Sequence, residues 1–512
     1  MEERKRNAAL PDAYQAVQSV LRQFSLEASL PHIWRYSRLA SQNIPLPRSY
    51  GYVSRGAWDK LNQMLHPHKL EVLLRELLIH ADHWDAGGSR DLWQWNDLAD
   101  AVNALNGFSD AVYDPDAEGG IHLTLHRLAH QQFPRFSPLT SPKMGRHLAL
   151  YSVPAMREVF ERHLGLSVES YFVMAFTAIA GSLARPRNNI TTDYAIVGID
   201  ADESMRFFNL IVGSLADMKA MAVKSQRLDE CWEYAFNVFQ FKPMIALDPN
   251  RPERVYCPIP PMLEKRLLEG LYYDLVKADG FSDAFGEAVD TVIGRMLQSL
   301  SPGYEVFKPE IEVIKKKTFH GTDWIIQNDN HCAFVECKGT RISLSGRVAD
   351  NLQTLRKELG IIADAVVQNY ANLHRERLRR GGEDQPQRQF YNLVITLEDW
   401  LIFSEFDFKE IFEQVQQRLA NSGLPEALLE EVPFRVMGFE GAQHCCAALA
   451  QHPMDEVIGL ANEPKYAGMA FTHELQDRYP DVDAHAVGGF DQDFDAVMDP
   501  VLERIRVQTQ AM

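Results

Sequence analysis

Apolar residues recur every three or four positions through most of the first half of the chain. This spacing is typical of amphipathic helices. The predicted helices cover residues 12–24, 69–84, 154–164 and 167–183, with long helical stretches within 204–239. The most apolar run, residues 171–184, is shorter than the roughly 20 residues that a helix needs to cross a bilayer. We therefore expect a mainly α-helical N-terminal half without a membrane span.

Shorter apolar runs, rich in β-branched and aromatic residues, follow in the second half. They predict strands at residues 303–307, 321–326, 331–338, 391–396 and 434–437. Helical spacing surrounds these strands at residues 281–297, 345–378 and 408–419, and a basic hairpin is expected at 315–317. The order helix, three strands, helix, strand, helix, strand predicts a mixed sheet flanked by helices. The expected fold class is therefore α+β.

A proline-rich stretch between residues 241 and 261 separates the two halves, because so many prolines cannot continue a helix. We expect a helical recognition or regulatory region at residues 1–255, with a subdomain break near 133–145. The strand-bearing unit is predicted at 256–450, and a C-terminal extension at 451–512 is expected to pack on it. No fixed repeat of 30 to 45 residues indicates a solenoid.

Composition and net charge limit which classes of protein the chain can belong to. Hydrophobic residues make up 46% of the 512 residues, which is enough to bury a large core. The net charge of -18 shows that the protein is not coated in basic surface. This argues against a basic DNA-binding module, although a local basic groove can still hold nucleic acid. Six cysteines without a C-x-x-C pair predict free thiols. With a charged N-terminus that lacks a secretory signal, they indicate a cytoplasmic protein.

Charged residues occur inside two of the predicted strands. Asp323 precedes an apolar run, and Glu336 and Lys338 end the next one. A carboxylate or ammonium group held away from water is costly unless it is paired or bound to a metal. Glu336 and Lys338 are two residues apart, so they point to the same side of a strand. We expect the three side chains to meet one another and a divalent cation in a site that cleaves phosphodiesters.

Asp323 followed by Glu336-Cys337-Lys338 resembles the Asp…(Asp/Glu)-x-Lys signature of the PD-(D/E)XK nuclease superfamily, with Thr322 where a proline can stand. The helix that contains Phe285-Gly286-Glu287 is similar to the first helix of that superfamily. The likeness covers residues 280–440. It implies an αβββαβ restriction-endonuclease-like core around a central mixed sheet, lying in the predicted unit at 256–450. It also implies a metal-dependent endonuclease acting on DNA, or on an RNA such as tRNA.

The resemblance implies roles for single residues. Asp323, Glu336 and the backbone carbonyl of Cys337 would hold Mg²⁺ or Mn²⁺, and Glu287 would support the ion from the preceding helix. Mg²⁺ prefers oxygen ligands and retains several waters, which suits this set of donors. Lys338 would orient or help to deprotonate the attacking water and stabilise the charge that develops on the phosphate.

Basic and polar residues near this motif are candidates for binding nucleic acid. Lys317, Arg341 and Arg347 can contact phosphates, while Gln368 is similar to polar residues that some branches of the superfamily have beside the site. A solvated helix face with interspersed acids is the alternative for the more distant arginine cluster at 375–380.

Two other interpretations stay open at this point. In one, Asp323 caps a turn and Glu336 and Lys338 form a partly exposed ion pair between strands, with no metal. In the other, an inactive nuclease fold is a scaffold that binds nucleic acid or protein.

Chains with a helical front and such a nuclease resemble bacterial anti-phage effectors. We therefore expect a role in antiviral defence. The helical half is expected to bind a protein partner or trigger, and the protein is expected to be able to form a homo-oligomer.

The C-terminal extension carries a second acidic pattern. Asp491, Asp493 and Asp495 alternate like calcium ligands, but the glycine and terminal glutamate of an EF-hand loop are missing in register. We predict a capped turn there, followed by a short helix over 496–507. Cys445 and Cys446 are expected to be buried as small apolar side chains.

Overall fold

The structure is a computed structural model. It describes residues 2–52, 65–82, 90–114, 119–133, 139–309, 312–314, 317–319, 321–380, 388–402, 405–459, 463–466 and 468–511. At residues 2–9, 312–314, 317–319, 379–380, 464, 509 and 511 only the backbone is described. Predictions that fall on other residues, including the end of the predicted helix at 83–84 and Lys315–Lys316 of the expected hairpin, lie outside the described residues.

Helices dominate the first 300 residues, as the spacing of apolar residues predicts. They are α1 (Glu2–Leu21), α2 (Leu26–Gln42), α3 (Pro67–His80), α4 (Trp95–Val112), α5 (Gly120–Gln132), α6 (Ser141–Ser152), α7 (Pro154–Leu164), α8 (Val168–Ala184), α9 (Ala201–Ile211), α10 (Leu215–Lys224), α11 (Pro260–Leu268), α12 (Leu271–Leu275) and α13 (Phe281–Gln298). The later helices are α14 (Leu344–Val348), α15 (Leu352–Arg380), α16 (Glu405–Asn421), α17 (Leu428–Glu431), α18 (Phe439–Leu449), α19 (Met454–Ile458), α20 (Phe471–Arg478) and α21 (Phe490–Ala511).

The strands form three small sheets. They are β1 (Arg187–Asn189), β2 (Val212–Ser214), β3 (Met244–Ala246), β4 (Arg254–Tyr256), β5 (Glu305–Phe307), β6 (Glu312–Ile314), β7 (Lys317–Phe319), β8 (Trp324–Gln327), β9 (His331–Lys338), β10 (Gln389–Thr396) and β11 (Phe434–Gly438). A four-stranded sheet has the order β1-β4-β3-β2, and β6 pairs with β7. The central sheet has the order β11-β10-β9-β8-β5. The mixed α+β class is thereby confirmed.

The central sheet changes direction at β9. Strands β5, β8 and β9 are antiparallel neighbours, whereas β10 runs parallel to both β9 and β11. Parallel neighbours need a long crossover, and α15 and α16 supply the crossovers on either side of β10. The carboxyl ends of β9, β10 and β11 therefore meet at one edge of the sheet.

The two faces of this sheet bury different helices, because successive side chains of a strand point to opposite sides. Trp324 and Val335 belong to a hydrophobic core that contains apolar residues of α6, α7, α8 and α13. Ile325 and Phe334 face a second core with α15 and α16. A third core joins α1 to α4 with residues from 218 to 262. The charged end of β9 thus lies in a sheet covered on both faces.

A buried polar cluster fixes α15 against the sheet. Asn369 donates from Nδ2 to the Phe334 carbonyl at 2.7 Å and to Asn392 Oδ1 at 2.9 Å. Its own Oδ1 accepts from Thr322 Oγ1 at 2.7 Å. Buried amides are stable only when their donors and acceptors are paired. This network holds α15 in one register beside the end of β9.

The helical stretches predicted within 204–239 correspond to α9 and α10, with β2 at Val212–Ser214 between them and turns after Lys224. One predicted element differs from the structure. The predicted capped turn at Asp491–Asp495 is wrong, since these residues lie in the first turns of α21, which begins at Phe490. The six cysteines are free, and Cys445 and Cys446 are buried as predicted.

Among the described residues, no single helix combines the length and apolarity of a membrane span. Helices α7 and α8 reach that threshold only as a pair, and they meet at a bend of 67°.

Candidate metal and phosphodiester site

The site begins where β8 and β9 stop pairing. Trp324 opposes Val335, and β8 does not extend back to cover the last residues of β9. Asp323 lies just before β8 and accepts a hydrogen bond at Oδ2 from the backbone N–H of Cys337, at 2.7 Å. The carboxylate thus takes the place of a strand partner. Because the N–H and C=O of one strand residue point to the same edge, the Cys337 carbonyl is directed toward the Asp323 side.

Glu336 and Lys338 lie on the face of β9 that α15 covers. Lys338 Nζ donates to Glu336 Oε1 at 2.8 Å and to Gln368 Oε1 of α15 at 3.1 Å. Glu336 is only 2% exposed. Its second oxygen, Oε2, is buried and meets no hydrogen-bond partner among the described residues. A buried carboxylate oxygen left in this way is rare in proteins and is a position where a cation or a water fits.

Burial and a neighbouring acid raise the pKa of both carboxyl groups. Burial, and then the nearby charge of Asp323, raise the pKa of Glu336 to about 7, against the attraction of Lys338. Burial also raises the pKa of Asp323, while the Cys337 N–H bond opposes the shift. Perturbed pairs of this kind concentrate at functional sites. A cation between the two carboxylates would offset the repulsion from Asp323 that contributes to the raised pKa of Glu336.

The donor set fits a hard cation better than a soft one. Among the described residues, no group of three or more His, Cys, Asp or Glu side chains is arranged to hold a metal ion. Two carboxylates and a backbone carbonyl are nevertheless what Mg²⁺ commonly takes from a protein, the remaining positions being waters or substrate oxygens. Burial raises the pKa of the Cys337 thiol well above its ordinary value, so this side chain is not a thiolate ligand.

Glu287, the acidic residue of α13 expected at the site, is not the α13 acid nearest to it. Glu287 is exposed on α13. Asp290, one turn further along, accepts from Trp324 Nε1 at 2.7 Å and pairs with Lys308. Its charge also contributes to the raised pKa of Asp323. Asp290 is therefore the acid that α13 brings toward Asp323, and the motif-based reasoning missed it.

A signal for Asp290 was present in the sequence. Gly294 follows it by four residues on the same side of α13, and a Cβ atom there would lie 2.2 Å from Cζ2 of Trp324. The glycine lets the indole ring lie against the helix, which brings the Trp324 N–H to Asp290. A glycine inside an otherwise apolar helix marks such a close approach.

The predicted nucleic-acid contacts are dispersed. Gln368 adjoins Lys338, as described above. Arg341 is 8% exposed and donates to Glu398 Oε2 from Nε at 3.0 Å, and Arg347 also pairs with Glu398, at 2.7 Å. Both guanidinium groups are thus engaged in a buried ion network beyond the end of β9. Lys317 begins β7, and its side chain is outside the described part of the chain.

Comparison of the chain with protein-family models, with curated proteins and with solved structures finds no match.

Replacing Glu336 by glutamine should change the pH dependence of stability in metal-free protein. A carboxyl group whose pKa rises from 4.5 to about 7 on folding destabilises the folded state as pH rises between these values. The loss approaches about 3 kcal/mol above pH 7. We expect wild-type protein in EDTA to lose stability from pH 5 to pH 8 relative to Glu336→Gln, as measured by urea unfolding. Parallel pH profiles for the two proteins would contradict the shifted pKa.

Proposed function

We propose that this protein is a metal-dependent endonuclease that hydrolyses phosphodiester bonds of DNA or RNA with Mg²⁺ or Mn²⁺. The order α13, β5, β8, β9, α15, β10 supports a restriction-endonuclease-like αβββαβ core, with β6 and β7 inserted between β5 and β8. Asp323 directly precedes β8, and Glu336 and Lys338 lie at the end of β9. Antiviral defence is the biological setting that we propose, with the helical half recognising a partner or trigger.

One observation carries the proposal. The unpartnered oxygen of Glu336 is buried beside a second carboxylate and next to the ammonium group of Lys338. A purely structural ion pair gains nothing from a second buried acid, because repulsion between the acids costs stability. In a metal site, the positive charge of a bound cation would offset this repulsion between the two carboxylates.

The residues of the chain divide the chemistry between them. Asp323, Glu336 and the Cys337 carbonyl would hold the ion, with Asp290 closer than Glu287 as the supporting acid. A bound Mg²⁺ supplies Lewis-acid polarisation of a phosphoryl oxygen and charge neutralisation. Lys338 can donate to a non-bridging phosphate oxygen, where negative charge grows during an in-line displacement. Gln368 holds the Lys338 ammonium group in position, since it accepts one of its hydrogen bonds.

A second candidate is an inactive nuclease fold that acts as a binding scaffold. It is favoured by the fact that Lys338 and Asp323 already have partners within β9 at 2.8 Å and 2.7 Å. In this case the ion pair and the Asp323 bond would stabilise the sheet and no cation would be needed.

Cleavage assays separate the two candidates. Purified full-length protein is incubated with plasmid DNA, single-stranded DNA and total RNA in Mg²⁺, Mn²⁺ or EDTA, beside Asp323→Asn. The nuclease proposal predicts cleavage of at least one substrate that requires the metal and is lost in the variant. Binding of Mn²⁺ to wild-type protein, followed by calorimetry, provides a readout that does not need an activator. Absence of both metal binding and cleavage would favour the scaffold.

A further inference from the structure

A large cavity lies beyond the carboxyl ends of β9, β10 and β11. Its volume is about 870 Å³, and the chain segments that follow all three strands contribute to its lining. Helices α6, α11 and α20 also contribute side chains. Ligands of open sheets with parallel strands commonly bind at this edge, in cavities of roughly 300 to 1,000 Å³. Asp323, Glu336 and Lys338 do not line it, so the cavity is separate from the candidate nuclease site.

The described residues that line the cavity carry more positive than negative charges, although the protein as a whole is strongly acidic. The lining contains six lysine and arginine side chains and four carboxylates. Glu398 pairs with both Arg341 and Arg347, so one excess positive charge stays with this trio and one lies among the other charged residues of the lining, which include Arg146 of α6. A positive excess in the lining favours an anionic group such as a phosphate monoester, which carries about -1.5 to -2 at neutral pH.

Arg146 is built into this cavity with a donor unused. The residue is 5% exposed, and its Nε–H is buried without a hydrogen-bond partner among the described residues. The rest of the guanidinium group donates to Gln443, lies 3.6 Å from Glu440 Oε1 and covers the Phe439 ring. These three contacts all belong to the start of α18. An unpaired buried donor costs free energy that an anionic ligand can recover.

The first turn of α18 lies in the same wall. The helix begins at Phe439 directly after β11, and its N-cap, Gly438, offers no side chain to the first N–H groups. These N–H groups and the helix dipole favour an anion at this end. A Cβ at Gly438 would lie 2.5 Å from the backbone nitrogen of Asp399, so glycine is needed for the chain after β10 to approach.

His130 of α5 also lines the cavity. It is 9% exposed, and its buried Nε2 has no partner among the described residues. Near it, Phe133 contacts the ring of His473, with the centroids 5.4 Å apart. Leu401 and Met469 extend this less polar wall. The cavity therefore offers an anion site at one wall and an aromatic and apolar surface at another.

We propose that this cavity binds a free mononucleotide, with its phosphate at Arg146 and the first turn of α18 and its base against the apolar wall. The volume is too large for inorganic phosphate alone, and carboxylates of the lining such as Glu440, whose side chain is 39% exposed, can accept hydrogen bonds from ribose or base. The same carboxylates would repel the successive phosphates of a nucleic-acid strand. The inference goes beyond the proposed nuclease and does not depend on it.

Isothermal titration calorimetry with full-length protein tests the proposal. AMP, GMP, CMP and UMP are titrated separately, beside the four nucleosides, inorganic phosphate and a 5′-phosphorylated hexanucleotide, all in EDTA. At least one mononucleotide should bind about ten-fold or more tightly than its nucleoside and than phosphate. Arg146→Gln should weaken that binding by about ten-fold or more, because it removes the charge that meets the phosphate. Arg295→Gln, an arginine paired with Asp493 outside the cavity, is the matched control.

A second variant protects the test against misfolding of Arg146→Gln. Met469 is only half-buried, and Met469→Trp adds bulk to the wall proposed to contact the base without removing a charge. It should weaken mononucleotide binding by about ten-fold or more, while the circular dichroism spectrum and melting temperature stay as in wild type. Asp323→Asn should bind the nucleotide as wild type does. The proposal is overturned if no mononucleotide binds at about 1 mM, if Met469→Trp binds normally, if Asp323→Asn abolishes binding, or if the hexanucleotide binds more tightly.

Discussion

If the proposed nuclease activity holds, Lys338→Ala is expected to lower the rate of metal-dependent cleavage by about 10²- to 10³-fold, as the loss of one donor at a developing charge does in other enzymes. The ammonium group is held by Glu336 and Gln368, so it is already oriented and costs little reorganisation during the reaction. Single-turnover rates with saturating protein measure the chemical step directly. The metal affinity should change much less than the rate, because lysine is not a ligand.

Lys409→Ala is a matched control for this variant. Lys409 lies on α16 with its side chain 75% exposed and pairs only with Glu413, at 3.7 Å. It should cleave as wild type does, since surface pairs contribute little. Equal rates for Lys338→Ala and wild type, with both proteins folded, would remove Lys338 from the chemistry.

Glu398→Ala is expected to lower the free energy of unfolding by about 3 kcal/mol or more, because it removes the carboxylate that two buried guanidinium groups share. Arg341 and Arg347 both donate to this carboxylate, and the backbone N–H of Ile342 adds a bond at 3.1 Å. The measurement is urea unfolding at neutral pH. Glu431→Ala, which breaks the half-exposed pair with Arg377, should cost about 0 to 1 kcal/mol under the same conditions.

The ionisation of Glu398 also predicts how its contribution to the free energy of unfolding changes at acid pH. The two guanidinium groups hold the pKa of Glu398 far below its usual value, although burial alone would raise it. Its stabilising contribution is therefore complete above the unfolded pKa of 4.5 and is lost as pH falls below that value. The difference between wild type and Glu398→Ala should shrink below pH 4. A difference that stays constant down to pH 3 would contradict this account.

Local patterns predicted the elements around the site well. The run that ends in Glu336-Cys337-Lys338 forms β9 over residues 331–338, as the sequence indicates, because eight apolar-rich residues between turn residues have few other solutions. The motif spacing also brought Asp323 and Glu336 close enough for their charges to interact. Both inferences depend on neighbours in sequence or on one hairpin.

Other features depend on contacts that no local pattern specifies. No local pattern predicts that the polar residues Asn369 and Asn392 are buried, and both are buried because they hydrogen-bond to one another across α15 and β10. The choice between Glu287 and Asp290 required the rotation of α13 relative to β8. Asp491 and Asp493 resemble turn residues, but acids are also favoured in the first turn of a helix.

The hydrogen bond from the Cys337 N–H to Asp323 means that this carboxylate has a structural role besides its proposed role as a metal ligand. If its carboxylate binds a cation, Asp323 also replaces a missing stretch of strand, so alanine at this position would leave a backbone donor of β9 without an acceptor. Asparagine keeps an oxygen for that donor and removes only the charge. Loss of activity in an alanine variant would mix structural with chemical damage, and substitutions at this position are therefore expected to be tolerated for folding only where an acceptor remains.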